Sequence, residues 1–297
     1  MKRQNDPSGP SKALFNWFPG HMAKALREIK QRLKLVDIVL EIRDARAPLA
    51  TANPALNEGL ESKCKLILLN KVNLSDPAMV KAWSQWFDER GEPYLFLNCF
   101  EKNSLNKVIK MAKDIVEKNR LKCDPNYVST SNKLKMMIVG LPNTGKSTII
   151  NQLANKGATK VADKPGLTKM QQWIKISEDV ELLDTPGVMP SQVERLEYGL
   201  WLSAIHAIPD DIADEQMTAM FIINHLKERK SEDFLKRYKI PSFDLTDEEM
   251  LRQIAKIRGC LKQKGEPDLE RVYKLVLAEF RTGELGRTCF KLPPTRF

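Results

Sequence analysis

The sequence predicts an α/β fold, a mostly parallel, doubly wound sheet followed by a small all-helical domain. Three observations carry that expectation. Apolar runs of strand length recur at Val36–Ile42, Leu66–Leu69, Tyr94–Leu97, Met136–Val139 and Val180–Leu183. Segments of helical periodicity separate most of them. Beyond Pro190 the strand-like runs stop and only helical periodicity remains.

Residues 1–14 are polar, contain Pro and Gly, and read as a flexible tail. Phe15-Asn16-Trp17-Phe18-Pro19-Gly20-His21-Met22 follows, with a turn signal at Pro19-Gly20. A helix is predicted from Met22 to Leu35, where Lys24, Arg27, Lys30, Arg32 and Lys34 face a single acid, Glu28. This basic helix is either an RNA-facing surface or a solvated face. Val36–Ile42 reads as a buried strand, and Asp44-Ala45-Arg46-Ala47-Pro48 follows at its C-terminal end, where ligands gather in open α/β sheets.

A short helix is expected near Pro54–Leu60, then a strand at Leu66–Leu69 running straight into Asn70-Lys71-Val72-Asn73. Next come a helix over Pro77–Glu89, a strand Tyr94–Leu97 ending at Asn98-Cys99, and a helix over Leu105–Lys118. Residues 119–133 are polar and read as a linker. The strand Met136–Val139 leads through a glycine loop into a helix over Thr148–Ala154. Strands are predicted at Gln172–Ile176 and Val180–Leu183, and helices at 192–207, 211–229, 231–238, 246–258 and 267–280. The last helix places Leu269, Val272, Tyr273, Val276 and Phe280 on one apolar stripe, with Asp268 as its cap and Gly283 just beyond it. The expected domains are 15–205 for the α/β part and 206–297 for the helical part.

At 297 residues with 42% hydrophobic content, the chain can bury a sizeable core. No apolar run approaches the ~20 residues of a membrane span. MKRQNDPSGPSK lacks the apolar core of a secretory signal and the Arg/Ser-rich pattern of a transit peptide. Five scattered cysteines without a CxxC pair suggest reduced thiols, so the expected location is the cytoplasm. A net charge of +10 suggests a polyanionic partner, most simply nucleic acid; the bland alternative is a generally lysine-rich protein.

Chemistry concentrates at Gly140–Ser147, which reads G-x-x-x-x-G-K-S between a strand and a helix. The glycines let successive backbone N–H groups converge on phosphate oxygens, and the helix N-terminus favours anions. Asn143, Thr144, Gly145, Lys146, Ser147 and Thr148 would line the phosphates. Lys146 would reach the β- and γ-phosphates and the Ser147 hydroxyl would bind Mg²⁺. The alternative is an ordinary Gly-rich turn before a helix.

Four further motifs fit a GTPase. Asp184-Thr185-Pro186-Gly187 matches D-x-x-G, with Asp184 for the Mg²⁺ shell and the Gly187 N–H for the γ-phosphate. Thr168 in PGLT stands where the switch threonine that joins Mg²⁺ should be. Asn70-Lys71-x-Asn73 resembles the guanine-reading N-K-x-D, and Asn98-Cys99 stands where a base-contacting loop should be. The base-reading motif precedes the P-loop and D-x-x-G comes last, so the predicted fold is a circularly permuted, Ras-like P-loop GTPase. The segment after DTPG then leads into the helical domain, and loss of the γ-phosphate is expected to reorient that domain.

WFPGHMAKA, DARAP, NKVN, GLPNTGKST, PGLT, DTPG and FRTGELGR together resemble the ribosome biogenesis GTPase A (RbgA/YlqF) family, related to mitochondrial ribosome-associated GTPases. The resemblance covers nearly the whole chain. It implies a GTP-hydrolysing factor for a late step of large ribosomal subunit assembly, stimulated by that subunit, with an RNA-binding helical domain. It also implies a catalytic role for His21, which otherwise caps or packs the first helix, and K⁺ binding by Asn143, which otherwise is a turn residue. The expected cofactors are therefore GTP/GDP, Mg²⁺ and K⁺, and the free protein is expected to be a monomer.

Two departures matter. The position after D-x-x-G, where many GTPases use Gln, holds Val188, which cannot hydrogen-bond a water; intrinsic turnover should be slow. Asn73 offers one acceptor where a carboxylate accepts two bonds from guanine, so weaker affinity or relaxed base choice is expected. These departures favour the alternative of a nucleotide-gated RNA-binding scaffold with negligible turnover. A P-loop enzyme of small-molecule metabolism would leave NKVN, PGLT and DTPG unexplained.

Overall fold

The computed structural model describes residues 20–54, 63–101, 103–126, 133–156, 172–189, 193 and 195–294. The expected tail, the Phe15–Pro19 part of the opening motif, most of the helix near Pro54–Leu60, and the PGLT loop with Thr168 lie outside them.

The chain opens with α1 (Gly20–Arg32), whose Met22, Ala25 and Ile29, with Leu33 just beyond, form the buried stripe that helical spacing dictates. Strands β1 (Ile38–Asp44), β2 (Cys64–Asn70) and β3 (Tyr94–Phe96) follow, with α2 (Pro77–Arg90) between the last two. Pro77 opens α2, Asp76 accepts from the Ala78 N–H at 2.8 Å, and Gly91 at φ +64° closes it. Next come α3 (Ser104–Cys123), β4 (Leu134–Gly140), α4 (Lys146–Lys156), β5 (Gln172–Ser177) and β6 (Val180–Asp184).

The six strands lie in the order β3-β2-β1-β4-β6-β5, all parallel except β5, which runs antiparallel to β6. The first strand therefore lies mid-sheet; the chain winds outward through β2 to β3, returns to β4 beside β1, reaches β5 at the opposite edge and turns back through β6, which lies between β5 and β4. The β1/β4 boundary is the topological switch point, where connections diverge and a crevice opens at the strands' C-terminal ends. All seven residues of β1 are buried, as a central parallel strand requires.

Alternation along the strands sorts the two faces. Ile38, Leu40, Ile42, Met136 and Ile138 pack under α3 and α4. Val39, Met137, Val139 and Leu183 face α1 and the C-terminal helices, while Ile67 and Leu69 face α2. Between those two clusters, β1 buries a charged pair, with Arg43 donating to both carboxylate oxygens of Glu41 at 2.9 Å.

Helices α5 (Leu196–Ala204), α6 (Glu215–Glu228), α7 (Glu232–Tyr238), α8 (Asp247–Arg258) and α9 (Leu269–Thr282) complete the chain. Their apolar faces join Val39, Leu183, Val188 and Met189 in one continuous core cluster. At the expected divide, His206 is partly exposed while its neighbours Ile205, Ala207 and Ile208 are buried in this core.

Several expected boundaries are corrected. The stretch read as a linker begins as helix, because α3 continues to Cys123; its last turns are straight-chain residues of good helix propensity. Helix α5 begins at Leu196 rather than 192. Helix α6 begins at Glu215 rather than 211, because the Asp214 side chain caps it, accepting from the Met217 N–H at 2.9 Å. Leu269 is 39% exposed rather than part of the stripe, since it is the first residue of α9. Asp268 and Gly283 do cap α9, with Asp268 accepting from the Arg271 N–H and Gly283 at φ +87°.

The poorly patterned C-terminal segment is a strap across the α/β part. Thr288 N–H donates to Leu74 O and Phe290 N–H to Arg46 O, both at 3.0 Å. The Trp83 indole N–H donates to Lys291 O at 3.0 Å. The Thr288 hydroxyl sits 2.7 Å from Nε2 of buried His225 on α6.

Candidate nucleotide-binding site

Five loops converge at the C-terminal ends of β1, β2, β3, β4 and β6, around the switch point. The P-loop follows β4. Gly140 takes φ +155°, and a Cβ there would stand 2.5 Å from Ile42 O on the neighbouring strand, so only glycine fits. Gly145 takes φ +103°, and a Cβ would meet the Asn70 amide at 2.3 Å. Asn143, at φ 57°, sits between them in the left-handed conformation that asparagine tolerates.

Asn70 ties the P-loop to the other loops. Its Nδ2 donates to Thr144 O at 3.1 Å, and its Oδ1 accepts from the Cys99 N–H at 3.3 Å. One side chain thus joins three motifs that stand at residues 70, 99 and 144. Lys71, at φ 62°, donates from Nζ to Asn143 O at 2.8 Å and lies 3.2 Å from Asp44 Oδ2. Asn98 accepts from the Phe100 N–H at 3.1 Å and shapes its own turn. Burial raises the Cys99 thiol above its ordinary value.

Lys146 is buried and donates to Gly140 O at 3.1 Å and Leu141 O at 2.9 Å. Burial lowers its ammonium to about 8, with the Asp184 carboxylate acting the other way. Gly187 closes the same corner, because a Cβ there would stand 3.0 Å from the Lys146 ammonium and 3.0 Å from Pro142 N. The Thr185 hydroxyl donates to Ile138 O at 2.6 Å and holds the DTPG loop against β4. Ser147 is exposed and Thr148 partly exposed at the start of α4.

This cradle fits a phosphate chain, with glycines where side chains would block approach and one buried cation. It also fits Mg²⁺ held mainly by a nucleotide. Among the described residues no cluster of three or more His, Cys, Asp or Glu could hold a metal alone. A single carboxylate plus hydroxyls and phosphates is a usual Mg²⁺ environment.

Several expected residues stand apart. Asn73 is exposed in a 3-10 turn at Val72–Leu74, and Asp76 is engaged in capping α2 rather than held beside it. Val188 is 1% exposed, its N–H 3.3 Å from Gly140 O and its carbonyl accepting from the Asn53 amide at 2.8 Å. The backbone of His21 lies in the first turn of α1, while its side chain, like Thr168, is outside the described part.

Sequence reasoning missed the groups that support this site. Asp44 lies under Lys71 and accepts from the Arg46 guanidinium at 2.9 Å and 2.8 Å. Burial alone would raise the Asp44 carboxyl, but Arg46 and then Lys71 outweigh it and hold it well below the ordinary 3.8. DARAP at a strand end was the signal for this pair. Asn53 and His206, whose carbonyl accepts from Asn143 Nδ2 at 2.7 Å, carried no motif.

Residues 135–249 match a family model described as "50S ribosome-binding GTPase". Over 280 residues the chain is 38% identical to Ribosome biogenesis GTPase A of Bacillus licheniformis, covering 94% of this chain and 99% of that protein. This chain belongs to the ribosome biogenesis GTPase A family. A mitochondrial relation is also present: Mitochondrial ribosome-associated GTPase 1 of Mus musculus is 31% identical, covering 91% of this chain and 88% of that protein. The fold agrees with a GNP-bound YlqF crystal structure from T. maritima, at TM-score 0.64 and 30% identity over 91% of this chain and 98% of that one. A GDP-bound YlqF structure matches equally well, at TM-score 0.65 and 30% identity over 90% of this chain and 99% of that one. Membership of the ribosome biogenesis GTPase A family implies guanine-nucleotide binding, for which this cradle is the candidate site.

Proposed function

We propose that this chain binds and hydrolyses GTP as an assembly factor of the large ribosomal subunit, and that the subunit stimulates its turnover. The observation that carries the reading is the Asn70 side chain, bonded at once to the P-loop and to the Asn98-Cys99 loop. It supports one site made from motifs 70 residues apart in the chain.

In this reading Lys146 leaves the Gly140 and Leu141 carbonyls to bind the β- and γ-phosphates. Asn143 to Thr148 and Gly187 offer backbone N–H groups. Ser147, Thr168 and Asp184 hold Mg²⁺, which when bound neutralises charge on the phosphate oxygens. Lys71 and Asn73 contact the base, beside Asn98 and Cys99. Asn143 supplies the K⁺ ligand.

Val188 cannot orient water, because its side chain is buried in the core. His21 takes that role as a neutral base near pH 7. What supports this is packing: its neighbour Met22 belongs to the same core cluster as Val188 and Met189, the two residues that follow DTPG. The helical domain, 206–297, binds ribosomal RNA and follows the nucleotide state through the Val188–Ile208 connection, whose two ends, Val188 and Ile208, are buried in the core. Free protein is monomeric and works in the cytoplasm; among the described residues no helix is long and apolar enough to cross a membrane.

The test is GTP turnover in K⁺ and in Na⁺ buffer, with and without purified large subunits. Stimulation by subunits in K⁺, lost in His21→Ala, is expected. Turnover equal with and without subunits would refute the reading and leave the nucleotide-gated scaffold.

A further inference from the structure

Among the described residues, strand β5 is an edge of the sheet, paired with β6 alone. Trp173 on it is 41% exposed. In register it lies opposite Leu183, whose side chain points to the α1 side of the sheet, so Trp173 points there too. The first pair of that ladder, Gln172 with Asp184, is the adjoining one, so the indole stands beside the nucleotide site.

Lysines surround it. Lys135 Nζ lies 5.9 Å from the Trp173 ring centroid. Lys135 and Lys175 flank Glu181 in register, and both are exposed. Lys133 pairs with Glu181 at 2.9 Å. Three lysines against one glutamate leave the patch cationic. On the same side of the sheet, α1 turns Lys24 and Arg27 outward, opposite its buried stripe, and Lys34 is exposed in the 3-10 turn that follows.

We propose that this face binds unpaired RNA, with a base stacked on the Trp173 indole and flanking phosphates on Lys135 and Lys175. An exposed indole ringed by cations offers both halves of a single-stranded RNA contact, a π-face and backbone neutralisation. Double helix fits it poorly, since paired bases do not present their faces. The inference rests on the ribosomal reading above and adds a contact outside the helical domain, one ladder pair from Asp184.

The test uses full-length protein and a fluorescein-labelled 12-nucleotide adenosine oligoribonucleotide, followed by anisotropy across a salt series. Trp173→Ala is expected to weaken binding about tenfold and Trp173→Phe to retain most of it. Lys135→Gln with Lys175→Gln should lower the slope of log affinity against log salt by roughly one. Affinity for GDP, unchanged in every variant, shows that the fold is kept. Oligonucleotide affinity unaltered by Trp173→Ala overturns the proposal, as does an equal loss for duplex RNA. Weaker association with large subunits but unchanged oligonucleotide affinity gives the face to a ribosomal protein and also overturns it. If wild-type turnover is stimulated by subunits in these cases, the ribosomal function stands without this contact.

Discussion

Lys146 should make the stability of the nucleotide-free protein rise with pH. The residue is 8% exposed, and burial brings its ammonium down to about 8 from the ordinary 10.5. As pH rises, the folded lysine loses its proton first. Between about pH 8 and 10.5 the unfolded chain therefore holds more protons, and stability increases with pH. At about 1.36 kcal/mol per pH unit, crossing the whole window stabilises the fold by roughly 3 kcal/mol. Lys146→Met removes this titration. It also removes one of the two donors to each of the Gly140 and Leu141 carbonyls, which keep the Val188 N–H and the Thr144 hydroxyl, a cost that does not vary with pH. The informative quantity is thus the stability difference between wild type and Lys146→Met, measured by urea unfolding in EDTA from pH 7 to 10. It should be flat up to about pH 8 and then grow by about 2–3 kcal/mol in favour of wild type. Adding Mg²⁺ and GDP should flatten the wild-type curve, because phosphate oxygens stabilise the ammonium. Parallel curves for the two proteins would refute the claim that a buried cation is held at the phosphate cradle against its desolvation cost.

Other outcomes follow from the same geometry. Asn73→Asp should tighten GDP roughly tenfold and worsen XDP, the restored acceptor being worth about 1–3 kcal/mol; calorimetric titration of both nucleotides checks it. Gly145→Ala should abolish nucleotide binding, because its Cβ would stand 2.3 Å from the Asn70 amide at a backbone angle alanine avoids; equilibrium dialysis with GDP reads this. Asp44→Asn should destabilise by about 3–5 kcal/mol, since it leaves the buried Arg46 guanidinium without its counter-charge. In wild type the Asp44 contribution is fully present above the ordinary carboxylate value of 3.8 and is lost as pH falls below it. Acid unfolding of Asp44→Asn should accordingly lose much of that pH dependence.

The phosphate cradle was legible in the chain because its chemistry is local. Gly140, Gly145, Lys146 and Ser147 stand within eight residues, and a strand-to-helix turn constrains them together. Helix ends were legible at Asp268 and Gly283, where cap residues mark them, but the start of α6 was misplaced although Asp214 caps it, because Asp210, Asp211 and Asp214 offer the same capping chemistry within five residues. The extension of α3 to Cys123 reads as polar linker until the preceding turns are known to be helical, since propagation is cheaper than nucleation.

Periodicity and motif order were thus enough to establish the α/β class, the permuted arrangement and the family, because those depend on residue spacing along the chain. They could not show that Asn70 bridges two loops, that Arg46 and Lys71 share Asp44, or that residues 288–291 strap the helical region to α2 and the DARAP loop. Apart from the Arg46–Asp44 pair, whose members stand two positions apart, such contacts join residues dozens to hundreds of positions apart. Their partners are chosen by how the sheet twists and which faces it leaves open, and no window along the sequence contains that information.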